Sequence, residues 1–324
     1  MSIRLFCRFR CAHLMRLACM PLLLNALGAC APLAPDPAAS PGQVWQASER
    51  RFVPFDALLY QARAADIVLL GETHDNAAHH ALQRQLLAAL AVGTPRPVLV
   101  MEQFDIEQQQ RLDAIKVSSA ASDIKLAAYR ALMNESWEWQ GYQPLLSLAI
   151  EHSLPVLAAN ISRASLREVM RGGQDVMGSG EPQRLGMTSG WRGEQQAALE
   201  REIADAHCDA LPPPAVSALT LAQRARDAVM ADQLLSVRGK AVAILGRGHV
   251  RQDLAVPLYL KQRSPRTSVL AVGMVEATPS FQPEQVAYGT LGQRFDTVVF
   301  TGTVKREGDP CAAFQKKPGA PAAQ

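Results

Sequence analysis

The stretch DIVLLGETHDNAAHH, residues 66–80, narrows the possible folds of this chain more than any other. Ile67, Val68, Leu69 and Leu70 form an unbroken apolar run, the pattern of a short strand covered on both faces. Gly71 is expected to break the strand. Glu72, Thr73, His74, Asp75 and Asn76 make a polar turn, and the pattern is helical from Ala77 to Leu90, with Asp75 or Asn76 as N-cap. One strand-to-helix turn thus presents Glu72 and His74, and the next helical turn presents His79 and His80. Ligands of open parallel sheets bind outside the carboxyl ends of the strands, where such turns lie.

The same unit recurs along the chain. Further apolar runs are VLVM, ending at Glu102; PVLAAN, ending at Asn160 and followed by Arg163; and AVAIL, ending in Gly246-Arg247-Gly248-His249 with Arg251 just beyond. Two later runs, 268–275 and 297–304, complete the strands. Helical patterns fall between them, including 55–63, 144–152, 163–171 and a helix starting at Pro257. Gly172, Gly173, Gly178 and Gly180 mark 172–180 as a loop. Alternating strands and helices predict an α/β protein with a Rossmann-like, mostly parallel sheet and helices on both faces. Two helix-only regions, about 105–140 and 180–237, are expected to pack together as a small helical cap beside the sheet.

With 324 residues, 48% of them hydrophobic, the chain is long enough for a large core. A net charge of +3 is too mild to suggest nucleic acid. Much of that charge lies in Arg4, Arg8, Arg10 and Arg16, ahead of a short apolar segment ending Leu27-Gly28-Ala29-Cys30. A basic start, a short apolar core and small residues before a cleavage point describe a secretory signal. The Leu-Gly-Ala-Cys end resembles a bacterial lipobox, with Cys30 as the lipidated residue; an ordinary cleaved signal is the alternative. Met1 and Met15 both serve as possible starts. The expected organisation is a lipoprotein signal peptide at 1–29, a Pro- and Ala-rich tether at 30–43, the folded domain at 44–308 and a disordered tail at 309–324. Ala31 suggests sorting to the outer membrane, lipid-anchored and facing the periplasm or the cell surface. Once Cys30 carries lipid, Cys208 and Cys311 remain as an even pair, the pattern of a disulfide in an oxidising compartment. No C-x-x-C-H stands in the sequence, so covalent c-type haem attachment is excluded.

Four strand ends on one sheet edge gather Glu72, His74, Glu102, Asn160, Arg163, Arg247, His249 and Arg251. Two carboxylates with two histidines suit acid/base work or a divalent metal. Phosphate-loop, dinucleotide, zinc-protease and serine-elbow motifs are absent. Arg247 and Arg251 favour an anion such as a carboxylate. His79 and His80, at a helix N-terminus, are expected neutral. Trp137, Trp139 and Tyr142 lie in WEWQGYQP, and Tyr259 lies one turn into the helix after His249.

Read together, LLGETHDNAAHH, VLVMEQFD, WEWQGYQPL, VLAANISR, AQRARDAVMA and ILGRGHVRQDLAVPLYL resemble the ChaN-like haem-binding lipoproteins. The resemblance spans about residues 52–304; Ala255 departs from it, standing where a glycine is expected. It extends to the wider superfamily with erythromycin-esterase-like and Tiki/TraB-like proteins, some of them hydrolases. The resemblance implies non-covalent b-type haem, a role in iron acquisition with an outer-membrane haem transport system, and a homodimer holding two cofacial haems. It implies a tyrosine on each iron, with a histidine and a lysine of the partner subunit at the propionates. Tyr142 and then Tyr259 are the expected iron ligands, with His79 and His80 at propionates or water, and Arg247, Arg251, Asn160 and Arg163 nearby. The alternative is a hydrolase that uses Glu72, His74, Glu102 and His249, with or without a divalent metal.

Overall fold

The apolar run at 67–70 is the middle of a central strand in the computed structural model, which describes residues 42–188, 191–277, 291–309 and 311–312. The signal segment, Cys30 and most of the tether and tail lie outside the described residues. In chain order the strands are β1 (Val44–Gln46), β2 (Arg51–Val53), β3 (Ile67–Glu72), β4 (Val98–Asp105), β5 (Val156–Asn160), β6 (Ala241–Gly246), β7 (Val269–Ala277) and β8 (Thr297–Gly302). The helices that matter below are α1 (Phe55–Ala64), α2 (Ala77–Ala91), α3 (Gln109–Val117), α4 (Ser122–Leu132), α5 (Trp139–Glu151), α6 (Arg163–Gly172), α7 (Glu181–Arg184), α8 (Gly193–Ala206), α9 (Pro213–Ser236) and α10 (Val256–Arg263).

Among the described residues the strands form one sheet in the order β2-β1-β8-β7-β3-β6-β4-β5. The six strands from β8 to β5 are parallel; β1 and β2 add an antiparallel ribbon at the β8 edge. β3 pairs with β6 up to Glu72 opposite Gly246, and with β7 on its other side. Side chains alternate across the pleat. Val68, Leu70, Met101 and Ile244 join the core under α2 and α5, while Ile67, Leu69, Val100 and Leu245 join the core under α6, α9 and α10. The connection after β3 therefore leaves on one face and that after β6 on the other. The crevice between their carboxyl ends is the switch point where such sheets bind ligands.

Three sequence expectations change. Gly71 does not end the strand; it is paired within β3. A Cβ there would lie 2.2 Å from Val250 Cγ2 and 3.1 Å from the Arg247 Cα, so glycine lets the Arg247–Val250 turn press against β3. The helix expected at 144–152 starts at Trp139, so Tyr142 is helical and Pro144 sits in the first turns. The two helix-only regions do not pack on each other. Leu112, Tyr129 and Leu132 of α3 and α4 join the α2/α5 face, while α9 lies on the opposite face. The cap over the carboxyl edge is α8 with α9. A 3-10 turn, Gln174–Met177, occupies part of the glycine-rich loop.

Candidate functional site

Glu72 ends β3 and, following Val68 and Leu70, points beneath α2 and α5. Only 2% of it is exposed. Its Oε1 accepts from Tyr142 Oη at 2.5 Å and meets His74 Nδ1 at 2.9 Å, while Oε2 accepts from Gln83 Nε2 at 2.7 Å and lies 3.2 Å from His80 Nε2. Burial pushes the carboxyl pKa up, but the hydrogen bonds of His74 and His80 outweigh it and hold the group below the usual carboxylate range. The anion orients His74: a carboxylate accepts only, so Nδ1 carries the proton and Nε2 is left as a lone pair when the ring is neutral. His74 is half-exposed, edge-on to Trp137, and its Nε2 lies over Gly246, where an added Cβ would meet it at 2.9 Å. Burial lowers its pKa, yet Glu72 and Glu102 raise it further, so the net position is above the ordinary histidine value.

Glu102 faces the opposite way, toward α9. Its Oε2 accepts from Gly246 N at 2.6 Å, and Oε1 lies 3.4 Å from His249 Nε2. The other ring nitrogen of His249 is 2.6 Å from Asp227 Oδ1. All three are buried, at 3%, 5% and 1% exposure. Burial works against charge on each, but the row of alternating charges prevails at two of them. Glu102 is drawn down to about 2, against its burial, by the His249 charge, and His249 is pushed up to about 10, against its burial, by Glu102 and Asp227. Asp227 is raised by burial to about 6 despite the pull of His249. At neutral pH His249 is an imidazolium clasped between two carboxylates.

Glu72, His74, Glu102 and His249 thus line one cleft of about 440 Å³ at the carboxyl edge. Sequence reasoning missed Asp227, Gln83 and Gln103. The signal for Asp227 was present: it stands seven residues from both Thr220 and Leu234, on the buried stripe of α9. Among the described residues no three His, Cys, Asp or Glu side chains are placed to hold a metal ion.

Other expected site residues are committed to the protein. Tyr142 has no exposed surface, and its hydroxyl proton goes to Glu72. Burial and the neighbouring carboxylate push its pKa far above the usual phenol range, the opposite of what a phenolate iron ligand needs. Tyr259 is equally enclosed, pushed up to about 12 by burial. His79 does not face a ligand: Nδ1 accepts from Thr73 N at 2.9 Å and Nε2 is 2.8 Å from Thr301 Oγ1. Burial lowers it to about 4, so it is neutral. His80 packs inward on Tyr142, with ring centroids 4.9 Å apart. Arg251 is paired with Glu202 and Asp253, and Asn160 donates to Glu102 O at 3.2 Å. Arg163 borders a smaller adjoining cavity, and Arg247 borders the cleft itself. Cys208 and Cys311 are joined as a disulfide, with Cα atoms 5.7 Å apart.

Comparisons with known proteins bear on the whole arrangement. The structure of ChaN from Campylobacter jejuni with cofacial haem superposes with a TM-score of 0.67 at 18% identity, covering 80% of this chain and 96% of that one. That likeness establishes a shared fold. A mutant of the erythromycin esterase EreC in its open conformation covers 82% of this chain and 98% of its own at 11% identity, with a TM-score of 0.46. A search of curated protein sequences found no match. The family model described as haem-binding uptake, Tiki superfamily, ChaN, matches residues 58–260, from α1 through β6 to α10. The chain belongs to the ChaN family of haem-binding uptake proteins in the Tiki superfamily.

Proposed function

We propose that this protein is a haem-binding lipoprotein that serves iron acquisition from the outer membrane, anchored through Cys30 and able to form a homodimer on binding haem. The family match across residues 58–260 carries this reading. The cleft itself does not fit a haem. Haem needs a broad apolar slot and an iron ligand, whereas Glu72, Glu102, Arg226, Arg247 and His249 are among the groups that line the cleft. Tyr142 and Tyr259 are enclosed. The haem site proposed here is therefore one outside the carboxyl-edge cleft. Tyr60 on α1, 75% exposed, is the described tyrosine that stands in solvent; Tyr288 lies outside the described residues. Haemin titration of the protein tests this, read by the absorption spectrum. A saturable spectral shift that survives Tyr142→Phe and Glu102→Gln supports the reading, and loss of the shift in Tyr142→Phe returns the iron to the cleft.

One observation favours a second activity, acid/base hydrolysis of an ester or amide. It is the pairing of a half-exposed His74, oriented by Glu72, with the Arg247 guanidinium in the same cleft. Water would lose a proton to His74 Nε2 as its oxygen attacks the acyl carbon. Arg247, which lines the cleft, would face the developing oxyanion, and His74 would return the proton to the leaving group. Replacing His74 with Asn removes this base at a half-exposed position. Turnover of a p-nitrophenyl ester should fall about 10²–10⁴-fold with the fold intact. Equal turnover by His74→Asn rules out this chemistry.

A further inference from the structure

Several arginines of this protein are held by carboxylates. Arg184 bonds Glu181 and Asp232, Arg263 bonds Asp232, and Arg251 bonds Glu202 and Asp253. Arg226, half-buried, is not among them. It projects from α9 into the wall between the main cleft and the adjoining cavity of about 240 Å³, and it lines both. Its Nε is buried without a hydrogen-bond partner, and its guanidinium enters no ion pair among the described residues. Arg247 lines the same cleft with one hydrogen bond, to Met274 O at 3.3 Å, and is in no ion pair among the described residues.

The carboxylates that feel these charges, Asp105 and Asp227 for Arg226 and Glu276 for Arg247, form no ion pair with them among the described residues; Asp227 is held by His249, and Glu276 by Arg306 and Asn76. Glu72 is saturated by Tyr142, Gln83 and His74, and Glu102 by Gly246 N and His249. A buried guanidinium without a partner is costly. Two half-buried guanidiniums that face one cavity, neither of them in an ion pair among the described residues, describe an anion site whose other half arrives with a ligand. We propose that the cleft binds the anionic group of a small molecule, a carboxylate or a phosphate, through Arg226 and Arg247. The bound group would sit beside His74 and His249. This assignment rests neither on haem nor on turnover, because it is measured by binding alone.

Calorimetric titration of the protein at low ionic strength tests it, with inorganic phosphate in one arm and succinate in the other. The arm that binds names the class of anion. The low salt matters, because ions screen such contacts. Saturable binding of at least one ion is expected, with a Kd of about 10 mM or tighter. Arg226→Gln should weaken it at least tenfold, while Arg84→Gln, on an exposed position of α2, should leave it unchanged. Urea unfolding separates a binding role from a structural one. With the unpaired charge removed, Arg226→Gln should unfold at the same or a higher urea concentration than the parent protein. Equal affinity in Arg226→Gln, or no saturable heat for either ion, overturns the proposal.

Discussion

At the scale of single residues, the protein uses histidine in three different ways, and the difference is measurable. His79 is held neutral by burial, at about 4, while an unfolded chain returns it to the ordinary histidine value of 6.5. Between those values the unfolded state binds more protons, so stability should fall as pH drops from 6.5 toward 4, by roughly 3 kcal/mol in total. The depressed carboxylates Glu72 and Glu102 withdraw their contribution only as pH falls below about 4.5. Asp227, raised to about 6, contributes with the opposite sign in the same window, so the test is the difference between parent and variant: from pH 6.5 to 4.5 the urea midpoint of the parent should fall relative to that of His79→Gln, and a constant difference refutes the assignment. His249 has the reverse sign. Its raised pKa gives stability that is complete below 6.5 and lost as pH rises toward about 10. His74 is the histidine left to exchange protons with a ligand. If it is the base, ester turnover should rise with pH through a value above 6.5. The sequence marked Glu72, His74, Glu102 and His249 because each follows an apolar run at a strand end. It did not show that the Tyr142 hydroxyl has an internal acceptor, since a phenol reads the same whether its partner is a ligand or a buried carboxylate.

At the scale of elements, the site depends on close approach of helix and strand. Gly141 on α5 lies against the His80 ring, where an added Cβ would fall 2.3 Å from two ring atoms. Gly141→Ala should cost about 1–3 kcal/mol by overpacking and should tilt His80 away from Glu72. Chemical denaturation measures the cost, and a neutral result would mean that α5 can shift without strain. Strands β3 to β8 were legible because each is an apolar run wide enough to be covered on both faces. β1 and β2 were not, since VWQ and RFV are too short to show a period. Helix amphipathicity tells which side of a helix is apolar but not which face of the sheet it covers. For that reason α3 and α4 were grouped with α9 although they lie on opposite faces.

At the scale of the whole molecule, Cys208, just past the end of α8, is tied to Cys311 across a sequence separation of 103. The bond anchors the cap helix that supplies Glu202 to Arg251. Reduction should lower stability by roughly 2–4 kcal/mol, read as a fall in urea midpoint that Cys208→Ser reproduces; a midpoint unaffected by reductant would contradict that role. The larger claim is a division of labour: one face-crossing cluster of acid, base and cation in the cleft, and a haem site elsewhere on the same domain. A haemin titration of the parent protein and Tyr142→Phe side by side tests it most directly. The account predicts a saturable absorption change with the same affinity and spectrum in both. No saturable change in either protein, or a change lost when Tyr142 becomes Phe, would contradict it.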